Sequence, residues 1–238
     1  MRMYGYGYGY YGFDWTYILL IIGMLLSLAA SARLKSTFSY YRRIRGASGL
    51  TGAETAKRIL QAAGITDVHV RAISGSLTDH YDPRTKTVSL SEDIYGQTSL
   101  AAVGVAAHEC GHAIQHAIGY APLEFRSAIV PVANFGSTLS WPLFLIGLFS
   151  GIRPLVTAGI VLFSLAVLFQ LVTLPVEINA SSRALKMLQS TGILGTDETR
   201  GARKVLTAAA MTYVAALAAS ILQLLRLLIL AGGRRRDD

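Results

Sequence analysis

Disulfides are excluded first: the 238-residue chain has one cysteine, Cys110, so no bridge can form within it, and a reducing compartment fits. Charge is scarce too. Only 15% of residues are Asp, Glu, Lys or Arg, against 52% apolar, and the mean hydropathy is +0.43, too apolar for an ordinary soluble domain. Acidic residues number 14 against 22 Lys and Arg, for a net charge of +8. No DNA- or RNA-binding motif accompanies that excess, so nucleic acid is not an expected partner. Most of the cations flank apolar runs, where anionic lipid and membrane topology account for them.

Four charge-free runs explain the hydropathy: 15–32, 128–152, 154–176 and 205–225. Crossing a bilayer takes about 20 residues of helix, so each is long enough. The first lacks a basic segment before it and follows a Tyr-Gly tract, which reads as a retained anchor and not as a cleaved signal. The fourth is Ala-rich and carries Arg226 just past its end, so an amphipathic or buried helix is the alternative there. Cations concentrate after the first run (Arg33, Lys35, Arg42, Arg43, Arg45) and between the third and fourth (Arg183, Lys186, Arg200, Arg203, Lys204). By the positive-inside rule these segments are cytoplasmic in the plasma membrane and the N-terminus is outside. The tail arginines Arg234, Arg235 and Arg236 fit that less well if the fourth run crosses.

Histidine is rare, with five in the chain, yet three lie within nine residues: His108, His112 and His116. His108-Glu109-Cys110-Gly111-His112 is an H-E-x-x-H motif in an Ala-rich, helix-like stretch. Residues four apart share a helix face, so His108 and His112 can offer two imidazoles to one metal. Glu109 sits beside that face, within reach of a metal-held water. This is the zincin pattern: two histidine ligands to a Zn2+ ion and a glutamate general base. The plain alternative is a helix that happens to carry histidines. Cys110 falls about 200° around the helix from His108 and reads as a small packing residue.

Around the motif the chain divides into a Tyr/Gly-rich tail (1–14), a first transmembrane helix (15–33), a soluble part with the motif helix (34–126), a transmembrane hairpin (127–176), a helix bearing a third ligand (177–204), a fourth apolar helix (205–231) and a charged tail (232–238). Thr51 and Glu54 form a capping box before AETAKRILQAA, which Gly64 ends. Residues 68–73 alternate like a strand. Asp82-Pro83-Arg84 signals a turn between Leu77–Tyr81 and the return strand Thr85–Leu90. The expected fold is mainly α and polytopic, with about four transmembrane helices and a zincin-like α+β part holding a small β-hairpin, where zincins keep the edge strand that pairs with an extended substrate. Gly147 and Gly151 are spaced for close helix packing, but no dimer is drawn from them.

Two histidines leave a catalytic zinc one protein ligand short. Glu177, His116, Glu124 and His80 are the candidates. His116 is too near His112 for the extended motif, which needs histidine at position 118, where this chain has isoleucine. Glu177 is the better one, read as opening a new helix at the membrane boundary before Ala180-Ser181-Ser182; a helix-start carboxylate favoured by the macrodipole is its plain alternative.

HECGHAIQHAIGY, then LPVEINASSRAL after a membrane hairpin, together with upstream GLTGAETAKRIL and LTDHYDPRTKTVSLSEDIY, resembles the YugP-type family of membrane zinc metallopeptidases. The likeness runs from about residue 46 to 210. It is more distantly similar to HtpX-type and CAAX-prenyl-protease-type membrane peptidases, in which a glutamate supplies the third ligand. The resemblance implies ligand roles for His108, His112 and Glu177, one zinc per chain, and Glu109 as base. It departs from those patterns at Ser181 and Asn179, where aspartates are expected, which bears on the partner that orients a zinc-bound histidine. His116, His80, Tyr81 and Arg183 are candidates for stabilising the oxyanion.

The leading reading is a plasma-membrane zinc endopeptidase acting on peptide or protein substrates, membrane proteins among them, with its site at the cytoplasmic membrane boundary. The runner-up is a catalytically silent membrane scaffold that keeps the fold; an intact Glu109 speaks against it. A transporter with an intramembrane ion site is disfavoured because the motif lies outside the long apolar runs.

Overall fold

The computed structural model describes residues 14–233; the Tyr-Gly tract and the tail arginines lie outside them. In chain order the elements are α1 (Tyr17–Tyr41), α2 (Gly52–Ala62), β1 (His69–Ile73), β2 (His80–Asp82), β3 (Thr87–Ser91), α3 (Glu92–Tyr95), α4 (Leu100–Ala117), α5 (Ala121–Ser150), α6 (Arg153–Ser190) and α7 (Thr196–Gly233). The protein is mainly helical, and among the described residues α1, α5, α6 and α7 are long and apolar enough to cross a membrane.

Local signals explain most boundaries. The capping box at Thr51 forms as the sequence implies: Glu54 N–H donates to Thr51 Oγ1 at 3.2 Å and Thr51 N–H to Glu54 Oε2 at 2.8 Å. Gly64 follows α2 at φ +72, the left-handed region glycine enters freely. β2 and β3 form the expected antiparallel hairpin, with Asp82 Oδ1 accepting from Arg84 N–H at 2.9 Å in its turn. β1 instead runs parallel to β3, and the order β1-β3-β2 leaves β3 central and β2 at an edge. β3 is buried along its whole length under α2, α3 and α4.

One expectation is corrected. Glu177 does not open a helix; it lies well inside α6, a 38-residue helix about 57 Å long. Pro175 removes only the hydrogen bond to the residue 171 carbonyl, and the chain around it is otherwise helix-forming, so the membrane span and the Glu177 segment are one rod. The helix ends at Ser190, and Gly192 at φ +67 turns the chain into α7, which starts at Thr196, nine residues before the fourth apolar run.

α5 and α6 form a tight hairpin. A Cβ on Gly147 would lie 2.6 Å from Val156 N, and one on Gly159 would lie 2.8 Å from Phe144 N. Gly147 is therefore used inside the chain, and Gly151 is the left-handed cap of α5. α1 and α7 are antiparallel. Arg226 donates to Thr16 Oγ1 at 3.3 Å, Gly23 faces Ala219, and Gly201 faces Tyr41. Steps of 7 and 18 residues along α1 are matched by equal steps back along α7, so whatever depth α1 spans, α7 spans too. The buried Arg226 is met by Asp14 at 3.7 Å and stacks over the Tyr17 ring at 4.6 Å.

That pairing predicts a cross-link. An ideal Cβ on Gly23 falls 3.1 Å from Ala219 Cβ, close to disulfide range after a small backbone adjustment. Gly23→Cys with Ala219→Cys should oxidise to a band of altered mobility on a non-reducing gel, while Gly23→Cys with Ala209→Cys should not. Equal cross-linking of both pairs, or of neither, would contradict the antiparallel register.

Candidate metal centre

α4 is built from small residues because it is buried from several sides; Ala101, Ala102, Ala106 and Ala107 are fully enclosed. Cys110 packs in this core with its Sγ toward Ala56 O at 3.6 Å, and burial pushes its thiol up, away from reactivity. His108, Glu109 and His112 turn to the opposite side, toward α6. Gly111 lets the two backbones approach: a Cβ there would lie 2.4 Å from Ala180 O.

At that crossing α6 presents Glu177. Its Oε2 lies 3.2 Å from His108 Nε2 and 3.5 Å from His112 Nε2. The ligand atoms of these three residues lie within 4.8 Å of one another. Ligand–ligand edges in a tetrahedral zinc site with bonds of 2.0–2.1 Å are about 3.3 Å. The donor set, nitrogen and oxygen with one position left over, fits zinc on chemistry and on those two edges.

Both rings present Nε2 because Nδ1 is engaged elsewhere. His112 Nδ1 is 3.0 Å from Gln115 Oε1. Gln115 Nε2 donates to Val176 O at 2.9 Å and Asn179 Oδ1 at 3.0 Å. The amide is thus fixed with its oxygen toward the ring, so His112 carries its proton on Nδ1 and keeps Nε2 for a metal. Asn179 Oδ1 also accepts from Arg183 Nε at 2.7 Å, so His112 donates to Gln115 and Gln115 to Asn179, whose oxygen is held from the other side by Arg183. His108 Nδ1 lies 3.1 Å from Ser181 Oγ. Burial alone would depress His112, but its hydrogen bond to Glu177 and the Glu109 and Glu177 charges outweigh that and hold it above its ordinary value.

Glu109 is buried, and none of the hydrogen bonds among the described residues uses its carboxylate. It faces two cavities that meet at the cluster. One, of about 760 Å³, is bounded by β2, the start of α5 and Tyr213 of α7. The other, of about 210 Å³, lies toward α1 and α7.

The remaining sequence candidates are placed apart from the ligand atoms. His116 Nδ1 is 2.8 Å from the Tyr81 hydroxyl, tying α4 to β2; burial pushes that hydroxyl up to about 12. His80 is exposed on the cleft rim with Nδ1 2.8 Å from Thr78 O. Arg183 pairs with neither Glu177 nor Glu109; it serves Asn179 and lies 5.8 Å from the Tyr120 ring centre. Glu124 is outside the ligand group. Three residues were not foreseen. Gln115 was available in principle, three positions beyond His112 on the same helix. Arg126, whose Nη1 donates to Glu177 Oε1 at 3.2 Å, and Tyr213 come from distant helices.

Residues 16–232 match the family described as "Putative neutral zinc metallopeptidase". The chain belongs to this family. It is also 49% identical over 220 residues to "Putative membrane protease YugP" of Bacillus subtilis (strain 168), covering 92% of this chain and 98% of that protein. No solved structure matches. A His, His, Glu set that could hold a metal ion is present here, in a protein whose four apolar helices and relative both mark it as a membrane protein.

Losing the partner of a metal-binding histidine costs about 10–100-fold in metal affinity. Gln115→Ala should therefore weaken zinc binding by that factor, read by competition with a chromogenic chelator, while Asn179→Ala gives a smaller loss. An unchanged zinc affinity in Gln115→Ala would rule out the orienting role.

Proposed function

We propose that this protein is a zinc-dependent endopeptidase with a zincin-like division of labour, working at the cytoplasmic face of the plasma membrane. The observation that carries the reading is the convergence of His108, His112 and Glu177 ligand atoms next to a buried carboxylate, Glu109, that has no hydrogen bond among the described residues, at the meeting point of two cavities. The three residues would hold one zinc per chain. Zinc bound there supplies a Lewis acid that polarises a carbonyl and makes water a better nucleophile at neutral pH.

The chain's own residues do the rest. Gln115 and Ser181 hold the imidazoles in orientation. Glu109 takes a proton from the attacking water and delivers it to the leaving amine, which is general base followed by general acid at one carboxylate. Arg126 and Tyr213 line the cleft beside the ligands and would donate to the carbonyl oxygen as it gains charge. The edge strand β2 forms one wall, which suits an extended peptide adding alongside it.

Both cavities have mixed walls: the larger sets Asp82, Arg84 and Arg126 beside Leu123, Val130 and Pro131, and the smaller sets Asp79 and Ser181 beside Leu34, Phe38, Val205 and Leu206. A peptide carrying both polar and apolar side chains fits such walls. The cytoplasmic assignment is supported by the cations flanking α1 and the α6–α7 turn.

Glu109→Gln keeps the shape of the side chain and removes the base. In nanodiscs, with a fluorogenic peptide library as substrate, it should lower hydrolysis by about 10²–10⁴ with zinc content unchanged. Hydrolysis at the wild-type rate would remove Glu109 from the mechanism, and zinc-loaded wild type with no hydrolysis of any peptide would favour a scaffold.

A further inference from the structure

A separate cavity of about 600 Å³ lies between α1 and α7 on a face that carries none of the metal-centre residues. Its cations are Arg33, Arg203 and Lys204, and no acidic side chain lines it. None of the three makes an ion pair among the described residues. Three hydroxyl side chains, Ser36, Thr37 and Thr207, line the same hollow. Three adjacent positive charges without a counter-ion repel one another and attract an anion.

Its position says which anion. The α1 apolar run ends at residue 32, so Arg33 marks the edge of the hydrocarbon, and Arg203 and Lys204 immediately precede the α7 apolar run at 205. In the antiparallel register Arg33 stands level with Ala209, while Arg203 and Lys204 stand level with Ser39 and Phe38, about 8 Å further out. The cavity therefore spans the layer that phospholipid headgroups occupy. Ala208 and Met211 give it an apolar part nearer the membrane, as a glycerol backbone and acyl chain need, and Tyr40 and Tyr41 are interfacial side chains at its outer end.

We propose that this cavity is a binding site for the phosphate-bearing headgroup of an anionic phospholipid. The site stands on the membrane reading alone and does not depend on peptidase activity. It has a consequence for the metal centre, because the opposite faces of the same two helices carry Leu34, Phe38, Val205 and Tyr213 into the cavities around Glu109. A lipid bridging α1 and α7 from outside would fix the spacing of those walls.

The test uses the full chain in detergent, with dioleoylphosphatidylglycerol, dioleoylphosphatidylcholine or free glycerol 3-phosphate added, and native mass spectrometry as readout. The phosphatidylglycerol adduct should form on wild type in preference to phosphatidylcholine. It should weaken about tenfold or more in Arg33→Gln/Arg203→Gln/Lys204→Gln, and survive in Lys35→Gln/Arg43→Gln/Arg45→Gln, which loses equal charge outside the cavity. Ala208→Trp keeps every charge and fills the hollow, so it should also lose the adduct and stands in if the triple variant fails to fold. Equal binding of both lipids, equal loss in the two triple variants, or full retention in Ala208→Trp would overturn the proposal. Binding of glycerol 3-phosphate as tight as that of the lipid would overturn the lipid source in favour of a soluble phosphate.

Discussion

The backbones of α4 and α6 cross with no room for a side chain between them: a Cβ on Gly111 would lie 2.4 Å from the Ala180 carbonyl oxygen. Protein interiors are too densely packed to absorb such an overlap, so any larger residue at position 111 must drive the helices apart. The candidate metal centre depends on that approach. His108 and His112 are fixed to α4, Glu177 and Ser181 to α6, and the distances of 3.2 and 3.5 Å between imidazole nitrogens and the carboxylate oxygen exist only while the two rods touch. Gln115 then locks the crossing by donating to the Val176 carbonyl on the far side.

Placing Glu177, the candidate third ligand, on a helix long and apolar enough to span a membrane has a mechanical consequence. α6 is one continuous element from the α5 hairpin turn to Ser190, so the depth at which it sits in the bilayer sets the height of Glu177 against α4. α5 grips α6 through glycines, and α7 contacts it through the Gln170–Ser220 hydrogen bond of 2.9 Å. The membrane helices are thus part of the frame of the site. That explains why the cleft is walled on one side by a soluble strand and on the other by the first turns of a membrane helix.

Local patterns were legible from the sequence and long-range ones were not. His108, Glu109 and His112 could be named because helical spacing places them on one side without any tertiary information. The capping box at Thr51 and the hairpin turn at Asp82 were legible for the same reason. Glu177, 69 residues from His108, was preferred on its place at a membrane boundary, and the resemblance to other membrane peptidases strengthened that choice. Its local setting was misread: the proline and the polar residues after the apolar run looked like a helix start, whereas one missing hydrogen bond does not interrupt a helix packed on both sides. Arg126 and Tyr213 carried no signal, since an arginine near a span or a tyrosine inside one has commoner roles. Gln115 lay in plain view, but an amide is not among the residues a search for metal ligands weighs, and its value comes from the two carbonyls that orient it.

The central claim is that α4 and α6 together form a three-ligand zinc site. X-ray absorption at the zinc edge of the purified wild-type protein tests it most directly. The expected result is a first shell of nitrogen and oxygen only, at about 2.0–2.1 Å, with the outer scattering of two imidazoles and one position open to solvent. Sulfur in the first shell, a single imidazole, or no zinc bound to carefully prepared protein would contradict it.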